Sequence, residues 1–224
     1  MIAYHEGGHA LVGHVLPNTD PVHKISVIPR GRALGYTLML PEEDKFLMTR
    51  EELIDELTML LAGRVAEELI VGDITTGAAD DIERATKIAK QMVTEYGMSD
   101  ALGPLTLGQK QHEVFLGRDL AAQPDYSDQV AFEIDTEVRR LIDEAHDEAL
   151  EILQQRRAKL DELAALLVEK ETLDKDEVER FLSEIPKRPQ RDLAVRGAGL
   201  AVSRRAIRTR RPESPGTIPP NPVG

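Results

Sequence analysis

His5-Glu6-Gly7-Gly8-His9 is the feature that most narrows what this chain can fold into. Histidines four residues apart are one turn apart on a helix, on the same face, where their imidazoles can converge on one ion. The neighbours agree. Ala3, Ala10, Leu11, Val12 and Val15 are small or apolar and Pro17-Asn18 stops the run, so a helix over residues 2–15 is expected. Glu6 stands where a carboxylate reaches a water on such an ion. The pattern suits zinc chemistry on a peptide bond: the metal lowers the pKa of its water, Glu6 takes the proton and then hands it to the leaving amine. The plainer reading is a helix with two incidental histidines. Gly7 and Gly8 weigh against it, because each costs a helix roughly 1 kcal/mol and together they are expected to leave the helix open beside the site.

A catalytic zinc needs a third protein ligand and keeps one position for water. The chain has no cysteine, so that ligand is His, Asp or Glu. His14 fails, since nine steps of about 100° turn it to the far side of the helix from His5. The metzincin pattern also wants glycine at position 12 and histidine at position 15, where Val12 and Val15 stand. His14, His23, His112 and His146 therefore read as ordinary surface or packing residues. Four carboxylates have suggestive settings: Glu67 and Glu68 in "GRVAEEL", Asp80 and Asp81 in "GAADDIERAT". The plain alternatives are a solvated helix face for the glutamates and a helix N-cap for Asp80, which would leave Asp81 free to point elsewhere.

The rest of the chain reads as mainly helical with a small β-hairpin or sheet element. "KISVIPRGRALGYTLMLP" suggests two short strands, one through Ile25, Val27 and Ile28 and one over Leu34 to Leu40. Thr49 with Glu52 is a capping box opening a helix that carries Leu53, Leu57, Leu60, Leu61, Val65 and Leu69 and ends at Gly72-Asp73. Asp80 with Glu83 suggests a second box and Gly97 a stop. Residues 98–127 are loop-rich. From Ser127 an apolar face runs through Ile134, Val138, Leu141, Ala145, Ala149 and Ile152 and on to Leu160, Leu163 and Leu167, as one long helix or a pair. Asp174 with Glu177 opens a last short helix.

Charge divides the chain at Pro186. From Pro186 to the end stand nine Lys or Arg, two acidic residues and seven of the thirteen prolines, so the formal charge of −12 splits into +7 from that point and −19 before it. The expected domains are residues 1–185 and a basic, Pro/Arg-rich, disordered tail over 186–224. An acidic body is a poor fit to nucleic acid, and none is expected as a partner. No apolar run approaches the roughly 20 residues of a membrane span, so the chain itself is expected to be soluble.

"HEGGHALVGHVLPNTDPVHKISVIPRG", "LGYTLMLPEED", "LLAGRVAEEL", "TTGAADDIERAT" and "EVFLGRD" together resemble the peptidase domain of the FtsH family, membrane-anchored AAA+ zinc proteases of peptidase family M41. The resemblance spans about residues 2–185, with the motifs in the family's order. It implies a helical zincin-like fold, Zn2+ as cofactor, His5 and His9 as ligands and Glu6 as catalytic base. It further implies that Asp81, matching the aspartate before "IERAT", is the third ligand. It implies a homo-hexameric ring, unfolded or membrane proteins as substrates, and a AAA+ ATPase module in a full-length protein on the cytoplasmic face of the bacterial plasma membrane. No G-x-x-x-x-G-K-[ST] occurs in the chain, which with the early position of the motif reads as the proteolytic part of a longer protein. Gly35, Tyr36 and Thr37 are the expected place for substrate to add as a strand, with Gly35 allowing close backbone approach. The rival reading is a non-catalytic helical assembly domain built around the helix at 127–170; an intact Glu6 argues against it.

Overall fold

The His5-Glu6-Gly7-Gly8-His9 stretch lies on a helix, α1 (Ile2–Val15), that is buried almost all round. A helix of that kind needs neighbours on every side, and the chain supplies them in order: β1 (Val22–Ser26), β2 (Tyr36–Met39), α2 (Arg50–Val71), a 3-10 turn at Thr76–Ala78, α3 (Ala79–Thr94), α4 (Asp128–Gln155), α5 (Arg157–Lys170), β3 (Thr172–Leu173) and α6 (Lys175–Leu182). The structure is a computed structural model and describes residues 1–29, 31, 34–41, 45–108 and 126–191. The "EVFLGRD" motif, His112 and the tail beyond residue 191 lie outside them. Met1–Gln190 form one unit, and no helix among the described residues is long and apolar enough to cross a membrane.

The three strands make one antiparallel sheet in the order β2-β1-β3, with Ile25 opposite both Thr37 and Leu173. This is the small sheet element expected; its third strand forms because the chain returns after α5 to pair with β1. Two cores share α2. One gathers Leu11, Val12 and Val15 of α1, Ile25, Ala62, Val65, Leu160, Leu163, Leu167 and Leu173. The other packs the first half of α2 (Leu53, Leu57, Leu60, Leu61) against Ala85, Ala89 and Met92 of α3 and Ile134, Leu141 and Ala145 of α4. α2 is thus central, which explains why its buried residues spread well beyond one stripe.

The glycines of the motif are packing surfaces and do not leave the helix open, contrary to the sequence expectation. A Cβ on Gly8 would lie 2.6 Å from the Ala62 carbonyl oxygen and 2.8 Å from the Ala66 Cβ, and one on Gly7 would lie 3.3 Å from Leu160 Cδ1. α1 therefore approaches α2 at near-backbone contact, which fixes the distance between the histidines and the helix behind them.

The helix ends follow their caps. The Thr49/Glu52 and Asp174/Glu177 boxes are both formed, and Ser127 caps α4, each cap being worth about 1 kcal/mol. The 127–170 pattern is a helix pair, broken at Arg156 (φ −121°, ψ 25°). At α3 the expected cap is displaced. Thr75 caps the 3-10 turn through Gly77 N, so the helix has already begun at Ala79, Ala78 holds the N-cap without a side-chain bond, and exposed Asp80 is its second residue. After α6, Arg188 donates its backbone N–H to Val15 O and places Nη2 2.9 Å from Glu151 Oε1.

Candidate metal centre

α1 presents His5 and His9 from one face. Their Nε2 atoms are 3.1 Å apart, with the rings edge to face at 76°. Asp81, the third residue of α3, brings Oδ2 to 3.4 Å from each of those nitrogens. Among the described residues, this is the group of three or more His, Asp or Glu placed to share an ion. Ligand atoms 2.0–2.1 Å from a tetrahedral zinc are about 3.3 Å apart. The triangle of 3.1, 3.4 and 3.4 Å is therefore the size of one face of such a tetrahedron.

The outer nitrogens decide which lone pairs are available. His9 Nδ1 is 2.8 Å from the Met59 carbonyl oxygen, which can only accept, so Nδ1 carries the proton. His5 Nδ1 is 3.0 Å from Glu67 Oε1, again an acceptor. In the neutral rings both Nε2 atoms are then unprotonated and face Asp81, the arrangement that metal-binding histidines use. Burial would raise the Asp81 carboxyl pKa, but its contacts with His5 and His9 outweigh this and hold it far below the usual carboxylate range. Burial likewise pushes His5 down, and the surrounding Asp81, Glu6 and Glu67 carboxylates reverse the direction and raise it. Two lone pairs and an anion converge on one point, a donor set that fits a dication.

Glu6 is buried on the side of α1 that faces β2. Thr37 Oγ1 lies 2.8 Å from its Oε2 and 3.1 Å from its backbone oxygen. A Cβ on Gly35 would sit 2.8 Å from Glu6 Oε1, so a glycine there gives the carboxylate its room. Burial raises the Glu6 pKa, and His9 and Thr37 offset only part of the rise. Tyr36 pairs with Ser26 and Thr37 with Ile25. β2 is an outer strand of the sheet among the described residues, so Tyr36 and Thr37 lie on its edge, with Gly35 just before it beside Glu6.

Of the residues singled out in sequence, His5, His9 and Asp81 are brought together and Glu6 lies against Gly35 and Thr37. Asp80 is exposed, and Glu68 bonds Arg64 and His146 on the surface. His14 sits away from the cluster and bonds the Ile185 carbonyl. Glu67 departs from the solvated face expected of it. It is 2% exposed, and besides His5 it accepts from Thr75 N (2.9 Å) and Thr75 Oγ1 (3.1 Å). The signal was present in the spacing Met59, Gly63, Glu67, one turn apart on the face of α2 that meets α1.

A sequence model of the family described as Peptidase family M41 matches residues 1–181. The chain is similar to the ATP-dependent zinc metalloprotease FtsH of Rubrobacter xylanophilus, 54% identical over 202 residues, which cover 88% of this chain and 31% of that protein. Against the protein of the same name from Slackia heliotrinireducens it is 58% identical over 182 residues, 81% of this chain and 23% of that one. Against ATP-dependent zinc metalloprotease FtsH 1 of Thermomicrobium roseum it is 56% identical over 190 residues, 85% and 29% of the two chains. The chain thus spans about a third or less of the length of these relatives.

Proposed function

The chain belongs to peptidase family M41, and on that premise we propose that it is a zinc-dependent endopeptidase domain acting on unfolded polypeptides. The observation that carries the reading is the triangle of His5 Nε2, His9 Nε2 and Asp81 Oδ2, with both Nδ1 atoms already committed as donors. These three residues would hold the ion. Zinc there supplies Lewis acidity, lowering the pKa of water and polarising a peptide carbonyl.

The chain's own residues do the rest. Glu6 accepts a proton from water and passes it to the departing amine; its burial raises its proton affinity, which suits it to both transfers. Thr37 fixes the rotation of the Glu6 carboxylate by donating to Oε2. Substrate adds as an extended strand along the edge of β2, so the backbone is read first and flexible segments are preferred. Tyr36 and Thr37 are residues of that edge, and Gly35 leads into it.

Three finer assignments rest on the family resemblance, beyond anything the names of the relatives say. The relatives are called ATP-dependent, and this chain has no P-loop motif. ATP use is therefore assigned to a AAA+ module of a longer protein, with the peptidase domains in a hexameric ring at the cytoplasmic face of a bacterial membrane.

The test is cleavage of a permanently unfolded protein by the purified chain, with and without chelator and with and without ATP, across protein concentration. Cleavage that needs no ATP, stops with chelator and returns with zinc is expected. A stably folded protein should stay intact with or without ATP, because unfolding it requires about 5–15 kcal/mol and the chain has nothing to supply it. Zinc bound with no cleavage at any concentration would favour an assembly role instead.

A further inference from the structure

We propose that Gly63 is a positioning residue of the metal centre: the side chain it lacks is the space in which the two liganding imidazoles stand. This rests on the zinc reading above. A Cβ on Gly63 would lie 2.4 Å from His9 Nε2, 2.7 Å from His5 Nε2 and 2.7 Å from His5 Cε1. Two of those three atoms are the metal-binding nitrogens themselves. Any side chain at this position occupies the volume the donors need.

Backbone conformation does not account for the glycine. Gly63 sits mid-way along a helix of 22 residues and is not among the glycines with positive φ. In such a place glycine is a poor choice, since it loses the most freedom on ordering. Its neighbours along the helix show what the gap is for. Met59 one turn before it accepts from His9 Nδ1, and Glu67 one turn after it accepts from His5 Nδ1. The three residues form one stripe on α2: an acceptor, a clearance and an acceptor. The rings lie across the clearance, tied at their outer edges, with their Nε2 atoms left to converge on Asp81.

Gly8 faces the same helix and does a different job. Its added Cβ would meet the Ala62 backbone oxygen at 2.6 Å and the Ala66 Cβ at 2.8 Å. Neither can step aside, so a methyl group there forces α1 from α2. The three nearest atoms that a methyl group at Gly63 would meet all belong to the rings of two histidine side chains and none to the backbone, so the rings and not the helices must shift. The metal-free fold survives that shift, and the convergence of the nitrogens does not.

The experiment compares the wild-type chain, Gly63→Ala and Gly8→Ala. Zinc affinity is measured by competition with a chromogenic chelator, and the thermal midpoint of each metal-free protein by circular dichroism. Gly63→Ala is expected to bind zinc about 100-fold more weakly or worse, with a metal-free midpoint close to wild type. Gly8→Ala is expected to lower the metal-free midpoint clearly, giving the signature of a packing defect. Zinc affinity of Gly63→Ala within about tenfold of wild type overturns the proposal. So does loss of the metal-free fold in that variant, which would make Gly63 a packing residue like Gly8. A wild-type chain that binds no zinc refutes the metal reading itself, a separate and distinguishable result.

Discussion

Glu67 Oε1 lies 3.0 Å from His5 Nδ1, while the same carboxylate accepts the Thr75 backbone N–H and hydroxyl. One buried side chain on α2 thereby ties the His5 ring of α1 to the loop that leads into α3 and Asp81. Glu67→Ala leaves these donors without their acceptor and frees the His5 ring. Zinc affinity should fall about 10–100-fold, the usual cost of removing such a support. Glu67→Gln keeps one acceptor oxygen but turns an amide toward the other donors, so its loss should be smaller. Wild-type affinity in Glu67→Ala, measured by chelator competition, would show that the ring needs no such anchor.

Asp81 and Asp80 are adjacent, and α3 turns only the first toward the histidines. Asp81→Ala removes the anionic donor and should abolish tight zinc binding. Asp80→Ala should leave zinc in place and cost only the favourable charge at the positive end of α3, about 0.3–1 kcal/mol of stability. Metal analysis of the two variants decides between them: full occupancy in Asp81→Ala with loss in Asp80→Ala would reverse the assignment.

How far the site was legible in sequence depends on how local each signal is. The His5/His9 pair, Glu6 and the Thr49 and Asp174 capping boxes are set by neighbours within one turn, and the structure has them where the spacing puts them. Asp80 looked like a cap for the same local reason, and lost that role because Glu67 holds Thr75 and starts the turn earlier. That contact bridges two elements and leaves no mark in the "GAADDIERAT" stretch. Buried Glu67 was hidden by Glu68 beside it, since a glutamate pair on a helix normally faces water. The third strand was missed because Thr172 and Leu173 acquire strand character only by pairing with β1. Asp81 itself entered through likeness to a family; nothing in its own vicinity ranked it above the other carboxylates.

Away from the metal, Glu137 gives the fold a pH dependence of known sign. It is buried on α4, where it accepts from Ser99 Oγ at 2.7 Å and from Arg140 Nε at 3.0 Å. Burial alone would raise its pKa, but Arg140 and Ser99 outweigh it and the net shift is downward from 4.5. A carboxylate with a depressed folded-state pKa contributes stability in full above its unfolded value and loses it as the pH falls through the folded one. Glu137→Gln should therefore be less stable than wild type at neutral pH, with the gap closing once the pH drops below the ordinary carboxylate range. Urea midpoints of both proteins across that range check this; a gap that stays constant into strong acid would contradict it.

The central claim is that Glu6 is the base beside a zinc held by His5, His9 and Asp81. Glu6→Gln keeps the size of the side chain and removes its basicity, so the most direct measurement is bound zinc and cleavage rate on the same preparation of that variant. The account predicts zinc at the wild-type level together with a rate of unfolded-protein cleavage lowered by about 100-fold or more. Cleavage at the wild-type rate by the zinc-loaded Glu6→Gln protein would contradict it.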